Sequence, residues 1–211
     1  MIASALLLSL VVASLATAIA VGLGTAAGWF LARRAFAGRE LVDALLSLPL
    51  VLPPTVTGYY LLVVLGRRGP LGGLGIPFTL AACVVAATVM AFPLVVRAAR
   101  VAFEEIDPRQ RLAAASLGHG SVSTLWRVEL PLARRGLAAG AALGFARALG
   151  EFGATLMLAG NIPGRTQTLP LAIYEAAMTG ESTAALVLSV ALTAVSVGVL
   201  LIVGRLGRGR A

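Results

Sequence analysis

The sequence DPRQRLAAASLGHGSVSTLWRVELP occupies residues 107–131 and lies in the longest interval between apolar runs of a 211-residue chain. Asp107 followed by Pro108 is typical of a helix N-cap and a first helical residue, and Gly118 is typical of a C-terminal cap. This spacing predicts a short helix over Pro108–Leu117. The stretch therefore indicates a helical module that stands outside the apolar part of the chain.

A second short helix is predicted after the hinge Gly118–Gly120. Ser121 is its candidate cap, and the helix is expected to end before Leu130 and Pro131, because proline cannot continue a helix. Two short helices would then present a surface to another protein. Its members are a small face that permits close approach, Ala113 and Ala114, and two side chains that could fill a pocket, Leu125 and Trp126.

The chain as a whole is strongly apolar, with 59% hydrophobic and 12% charged residues and a mean hydropathy of +0.95. A helix needs about 20 apolar residues to cross about 30 Å of hydrocarbon. Five runs of that size occur: Ala5–Leu31, Val42–Leu65, Phe78–Val96, Leu137–Ala159 and Thr183–Val203. The sequence predicts an all-α integral membrane protein with five transmembrane helices, one domain over residues 1–211, and an extramembrane loop over residues 100–133.

The basic residues of the chain are 17 arginines and no lysine, set against 9 acidic residues for a formal net charge of +8. They fall in clusters between the apolar runs rather than in one patch, so no nucleic-acid partner is expected. The first and third connections and the tail are rich in arginine: Arg33, Arg34, Arg39, seven arginines from Arg97 to Arg135, and Arg205, Arg208 and Arg210. By the positive-inside rule this side is cytoplasmic, which places the N-terminus outside and the C-terminus inside.

The second apolar run contains Pro49 and then Pro53 and Pro54, each of which removes a helical hydrogen bond. Pro53 lies about 16 Å into the run and so near the bilayer midplane. A broken helix there is tolerated only where its backbone is buried in protein or faces a watery cavity. We therefore expect a pathway lining in which Thr55 and Thr57 offer hydroxyls to a polar solute. The alternative is a simple kink that neighbouring helices repair.

The fourth apolar run contains Arg147 and Glu151, four residues apart and so on one helix face. Ionisable residues at membrane depth are costly and usually face a bundle interior or a cavity. One hypothesis is that Arg147 contributes positive potential to an oxyanion route while Glu151 holds its orientation or a gate. The other is a structural ion pair that locks two helices.

Five helices are few with which to enclose a water-filled path, so a homodimer is the natural way to close one. Small residues that allow close helix contact recur every four positions in two runs: Gly24 and Gly28, and Gly136, Gly140 and Gly144. These glycines either contribute to the dimer contact or pack only within the chain.

Catalytic and metal-binding motifs are missing from the sequence. Cys83 lies in an apolar run and is interpreted as a core residue, while His119, the only histidine, is interpreted as a loop residue. No paired carboxylates and no zinc-protease or serine-hydrolase motif occur. Because a P-loop requires lysine, the chain cannot bind ATP in that way, and another chain must handle ATP. We expect a chain that is not an enzyme and holds no cofactor.

The module over residues 107–131 resembles the EAA loop of ABC importer permeases. Ala113 and Ala114, then Gly118, then Val128-Glu129-Leu130-Pro131 follow that family's spacing over twenty residues, although Leu112 stands where the family has glutamate. The resemblance implies that the loop forms a coupling helix docked in a cleft of an ATPase subunit, with Ala113, Ala114, Gly118, Trp126, Leu130 and Pro131 as the coupling residues. ATP and magnesium would then be bound by the partner subunit.

Three further blocks resemble the molybdate or tungstate permease subfamily: residues 48–60 (LPLVLPPTVTGYY), 150–155 (GEFGAT) and 160–166 (GNIPGRT). The resemblance covers essentially the whole chain. It implies a fold of the methionine-importer permease type, a homodimer in a prokaryotic inner membrane, two ATPase subunits and an extracytoplasmic protein that delivers the oxyanion.

Two other functions remain as alternatives. Sulfate or thiosulfate permeases share parts of the fourth-run block, including an arginine four residues before an acid and an Asn-Ile-Pro-Gly turn. A stand-alone ion-coupled carrier would need intramembrane acids or an inverted repeat, and the sequence offers one intramembrane pair and no clear repeat.

Overall fold

The structure, a computed structural model, describes residues 2–208; Arg210 and the side chains of Arg205 and Arg208 lie outside it. The described chain is helical and contains no strand. In chain order the helices are α1 (Ile2–Arg33), α2 (Arg39–Val51), α3 (Pro54–Leu65), α4 (Leu80–Glu104), α5 (Pro108–Ser116), α6 (Ser121–Thr124), α7 (Leu130–Leu149), α8 (Gly153–Ala159), α9 (Leu169–Met178) and α10 (Ser182–Arg208), with a 3-10 turn over Gly72–Leu74 and a π-helical turn over Leu125–Glu129. The predicted all-α fold is confirmed.

Three helices, α1, α4 and α10, are each long and apolar enough to cross a membrane. Two further spans require pairs of helices. One pair is α2 with α3, bent by 111°; the other is the continuous helix Ser121–Leu149, which contains α7, with α8, bent by 59°. By length and composition, residues 2–208 thus contain three spans, or up to five if each bent pair is one span. This agrees with the five predicted runs. Helix α9 was not predicted, because its 10 residues fall well short of a span.

The centre of the bundle is formed by α1, α4 and α7, which touch through glycines. Each glycine faces a residue of α4: Gly24 faces Val95, Gly28 faces Ala99, Gly136 faces Ala102, Gly140 faces Ala98 and Gly144 faces Val95. Along α1 the residue numbers of the α4 partners rise, so α1 runs parallel to α4. Along α7 the residue numbers of the α4 partners fall, so α7 runs antiparallel to α4. The glycines therefore pack within the chain, so the alternative in which they form a dimer contact does not hold.

One end of the bundle, where α1 and α4 end and α7 begins, gathers the arginine-rich connections; it is called the arginine-rich end below. Ion pairs there tie the start of α2 to the end of α4. Arg39 and Arg100 both pair with Glu104, at 2.7 and 2.9 Å, and Arg100 also pairs with Asp43 at 3.2 Å. The start of α2 is thereby fixed to the bundle before the chain turns at the α2–α3 break.

The opposite end of the bundle holds the start of α1, helix α9 and the start of α10. An apolar cluster joins them through Ala5, Leu169 and Leu188, and the Leu169 N–H donates to Ser9 Oγ at 2.7 Å. Helix α10 therefore begins beside the start of α1 and runs toward the arginine-rich end.

Candidate translocation pathway and coupling segment

The two breaks predicted from sequence lie against each other, because α3 packs on α8 through glycines. A Cβ built on Gly58 would lie 2.7 Å from Ala154 Cα, and one built on Gly153 would lie 2.9 Å from Pro54 Cβ. Both distances are too short for any side chain, so the backbones of the two broken spans touch directly. The structure thus brings the α2–α3 break and the α7–α8 break to one place.

The α2–α3 break is sharper than a proline kink. Leu52 and Pro53 adopt extended ψ angles of 142° and 136°, and α3 restarts with Pro54 at its first turn, where a missing N–H costs nothing. Pro53, Pro54 and Thr55 are exposed, as a pathway lining requires. Thr57 is only 6% exposed, and its buried Oγ1 has no hydrogen-bond partner within the described part of the chain. Thr57 therefore faces the packed side of α3, and direct solute contact, expected for both threonines, is available here only to Thr55.

Arg147 and Glu151 form the predicted pair across the α7–α8 break. Arg147 Nη1 lies 2.7 Å from Glu151 Oε2, and the two side chains are 25% and 1% exposed. The other carboxylate oxygen, Oε1, accepts the Ala154 N–H at 2.8 Å and so satisfies a donor at the start of α8. Glu151 is thus buried and joins Arg147 to the start of α8, whereas the Arg147 side chain stays partly exposed at the break. The position of Glu151 fits the structural hypothesis, and the exposure of Arg147 is compatible with the pathway hypothesis.

Helix α5 has the caps that its sequence predicts. The N-cap Asp107 accepts the Arg109 N–H at 2.8 Å, and Pro108 is the first helical residue. At the other end Gly118 has a φ of +80°. Its N–H donates to the Ala115 carbonyl at 3.0 Å while the His119 N–H reaches back to Ala114 at 3.1 Å, a Schellman cap. The predicted helix and its glycine stop are confirmed to within one residue.

The exposed face of residues 107–131, named the coupling segment after the role that the sequence predicts for it, is apolar rather than merely small. Ala113 is exposed, but Ala114 is 4% exposed and packs inward, so only one of the two alanines predicted for close approach is accessible. Large apolar side chains flank it instead: Leu112, Leu117, Val122 and Trp126, each at least two-thirds exposed. Trp126 is exposed, as the predicted contact with a partner would require, whereas Leu125 packs against the bundle.

Pro131 does not end the second helix, contrary to the prediction. The chain continues from α6 through the π-helical turn Leu125–Glu129 into α7, and Leu130 N–H bonds to the Leu125 carbonyl, five residues back. A π-helical turn widens the spiral, which accommodates a proline that cannot donate to the carbonyl four residues before it. Ser121 is likewise the first helical residue rather than the cap, which is Gly120. The coupling segment is therefore continuous with α7.

Comparison with known proteins identifies the family to which this chain belongs. Residues 20–210 match the family described as "Binding-protein-dependent transport system inner membrane component". This chain belongs to that family. Such permeases are integral membrane proteins, and the present chain is a multi-pass member of the binding-protein-dependent permeases.

Individual permeases resemble the chain along most of its length. The molybdenum transport system permease ModB of Escherichia coli K12 is 44% identical, covering 98% of this chain and 95% of its own length. ModB of Haemophilus influenzae is 45% identical, covering 82% and 78%. Among solved structures, the inward-facing MetNI methionine ABC transporter superposes with a TM-score of 0.73 at 19% identity, covering 98% of this chain and 93% of its own. The predicted methionine-importer-like fold is thus confirmed.

Glu129 anchors the coupling segment of this permease to α1, a role the sequence analysis missed. Its two oxygens lie 2.7 Å from Arg33 Nε and 2.7 Å from Trp29 Nε1, and Arg33 also donates to the Phe103 carbonyl at 2.8 Å. The carboxylate is buried. One signal was available in the sequence, since an acid between Val128 and Leu130 interrupts an otherwise apolar helix start.

Removing this anchor is expected to destabilise the permease. Glu129→Ala leaves the nearly buried Arg33 guanidinium without a counter-ion, which costs about 3–5 kcal/mol. The melting temperature of the purified chain in detergent should fall by on the order of 10 °C. Glu105→Ala removes an exposed carboxylate on the same side of the bundle and should leave it unchanged. Equal melting of the two variants would show that the anchor contributes nothing.

Proposed function

We propose that this chain is the permease subunit of an ATP-driven importer that moves molybdate or tungstate across the cell membrane. The observation that carries the proposal is the position of Arg147. This cation lies at the α7–α8 break, where the second broken span, α2–α3, makes contact. The chain is also similar to molybdenum permeases over nearly its full length. Sulfate, another divalent tetrahedral oxyanion, is the neighbouring alternative.

The proposed path runs past both breaks. Exposed Pro53, Pro54 and Thr55 would line it on one side, and Arg147 would offer positive potential on the other, oriented by Glu151. A second copy of the chain would close the path, since one copy has too few helices to surround it. Few side chains here can donate hydrogen bonds to an anion, so selection among oxyanions would reside mainly in an extracytoplasmic binding protein that delivers the solute.

Energy for transport would come from two ATPase subunits, because this lysine-free chain cannot build a P-loop. ATP and magnesium would be held on those subunits and not here. The exposed apolar face formed by Leu112, Leu117, Val122 and Trp126 would dock in a cleft of the ATPase. The arginine-rich end would face the cytoplasm, with the N-terminus outside and the C-terminus inside.

Movement of the docked helix would reach the bundle by two routes. The π-helical turn carries it directly into α7 through Leu130 and Pro131. The Glu129 contacts with Arg33 and Trp29 carry it into α1. Because Arg147 is near the other end of α7, rotation of α7 would displace the pathway cation.

Gly118→Val is expected to uncouple the two subunits. A β-branched residue at φ +80° costs roughly 1–2 kcal/mol, which lowers the equilibrium constant for forming the capped helix by a factor of about 5–30. ATP-dependent uptake should fall by up to that factor, while assembly with the ATPase is retained. Gly73→Val is the control, because Gly73 lies outside the coupling segment, has no left-handed φ and has open space around its Cα. Gly118→Asn should be tolerated, since asparagine accepts left-handed backbone. Full uptake by Gly118→Val would contradict this role.

The proposed function is tested by ATP hydrolysis in the reconstituted complex. Hydrolysis should rise when the binding protein is added loaded with molybdate or tungstate, and much less when it is loaded with sulfate. Stimulation by sulfate alone would assign the chain to sulfate import. Solute flux through liposomes that contain only this chain would instead support an ion-coupled carrier.

A further inference from the structure

A cavity of about 420 Å³ lies at the arginine-rich end, between the end of α1 and the coupling segment. Trp29, Arg33 and Arg34 line it from α1, and Arg111, His119 and Glu129 line it from the coupling segment. It is separate from the two helix breaks, and the proposed transport cycle uses the Glu129 contacts in its wall but not the space that it encloses. The space is many times the roughly 30 Å³ that one water molecule occupies.

The cavity carries an excess of positive charge. Among the described residues, Glu129 is the only carboxylate that lines it, and its two oxygens are occupied by Arg33 and Trp29. Among residues 2–208, neither Arg34 nor Arg111 belongs to an ion pair. Two guanidinium groups therefore face one space with no counter-charge supplied by the described chain.

Arg111 is the residue that points to a ligand. Its Nε is buried and has no hydrogen-bond partner among the described residues, although a buried donor on a cation is among the costliest groups to leave unsatisfied. Water that enters the cavity could offer an acceptor, but only an anion also supplies the negative charge that Arg111 and Arg34 lack within residues 2–208. An arginine fork matches the paired oxygens of a phosphate-type anion, which lysine would not do as well.

We propose that this cavity binds a tetrahedral oxyanion of the phosphate type, held by Arg111 and Arg34, at a site distinct from the translocation path. The anion can be free in solution or can be the headgroup phosphate of an anionic lipid, since the cavity adjoins the end of a membrane-spanning helix. Because its walls come from α1 and from the coupling segment, the bound anion joins the two and reinforces the anchor that Glu129 provides.

The test is thermal melting of the full-length chain in a zwitterionic detergent, titrated with inorganic phosphate in one arm and with phosphatidylglycerol in the other. Phosphatidylcholine and a chloride salt of matched ionic strength serve as blanks. Stabilisation by phosphate identifies a free anion as sufficient. Stabilisation by phosphatidylglycerol alone identifies the lipid headgroup. Either result supports the site provided that it depends on the arginines.

Dependence is measured with Arg111→Gln and with Arg34→Gln. Each substitution should raise the Kd of the ligand that stabilises the wild type about tenfold, as expected for the loss of a charge-assisted hydrogen bond. Arg109→Gln removes the same charge from an exposed position of α5 outside the cavity and should leave the titration unchanged. Without ligand, Arg111→Gln should melt like the wild type, because its Nε has no partner to lose. No stabilisation in either arm, or equal titrations for the Arg109 and Arg111 variants, would overturn the site and leave the importer function untouched.

Discussion

Arg147→Gln is expected to lower both the folded yield and the uptake of the transporter. The Glu151 side chain is 1% exposed and Arg147 is its ion-pair partner at 2.7 Å, so the substitution strands a buried carboxylate at a cost of about 3–5 kcal/mol. Glu151→Gln should cost less, because glutamine can still accept the Ala154 N–H and because Arg147 is a quarter exposed. Melting and folded yield in detergent measure this difference.

The double variant Arg147→Gln/Glu151→Gln separates structure from transport. With no charge left to compensate, folding should recover to near the wild-type level, since neutral pairs often replace buried ion pairs at little cost. Uptake of an oxyanion should nevertheless stay below about a tenth of the wild-type rate, because the only described cation at the break is gone. Restored uptake in the double variant would show that the pair is structural and that Arg147 does not serve the path.

Gly28→Val is expected to abolish the folded bundle. A Cβ at Gly28 would lie 2.7 Å from Ala99 Cβ and 2.8 Å from Arg100 N and Val96 O. Two of those three atoms belong to the α4 backbone, so α1 and α4 would have to move apart at this position. The cost should exceed the roughly 1–3 kcal/mol typical of overpacking.

Gly22→Val is the matched control on the same helix, because nothing lies within 4 Å of a Cβ built there. It should leave melting and elution in detergent close to those of the wild type, whereas Gly28→Val should give little monodisperse protein. If the two variants behaved alike, the close approach of α1 to α4 would be wrong.

Much of the fold is predictable from local features because the membrane makes them decisive. Runs of about 20 apolar residues locate α1, α4 and α10, and the caps at Asp107 and Gly118 locate α5. The short elements are not predicted by these local features. Helix α9 lacks the length that marks a span, and the π-helical turn before Pro131 exists because the chain continues into α7, which a local proline rule does not anticipate.

The sequence predicts the proline-containing break and the Arg147–Glu151 pair as two separate features. Their contact depends on tertiary packing, which the sequence pattern does not give. Gly58 and Gly153 carry the α3–α8 contact, yet a glycine in an apolar run gives no indication of its partner. The same limit applies to Ala113 and Ala114, since one faces out and the other in. It also applies to Glu129, whose partners Trp29 and Arg33 lie about a hundred residues away along the chain.

ATP-dependent uptake of labelled molybdate is the most direct measurement of what this permease does. Proteoliposomes would contain the chain with its ATPase, and the molybdate-loaded binding protein would be supplied on the outer side. Accumulation is expected only with ATP inside, with competition by unlabelled tungstate and little competition by sulfate. Accumulation without ATP or without the ATPase, or an uptake of labelled sulfate that exceeds that of molybdate, would contradict a molybdate importer.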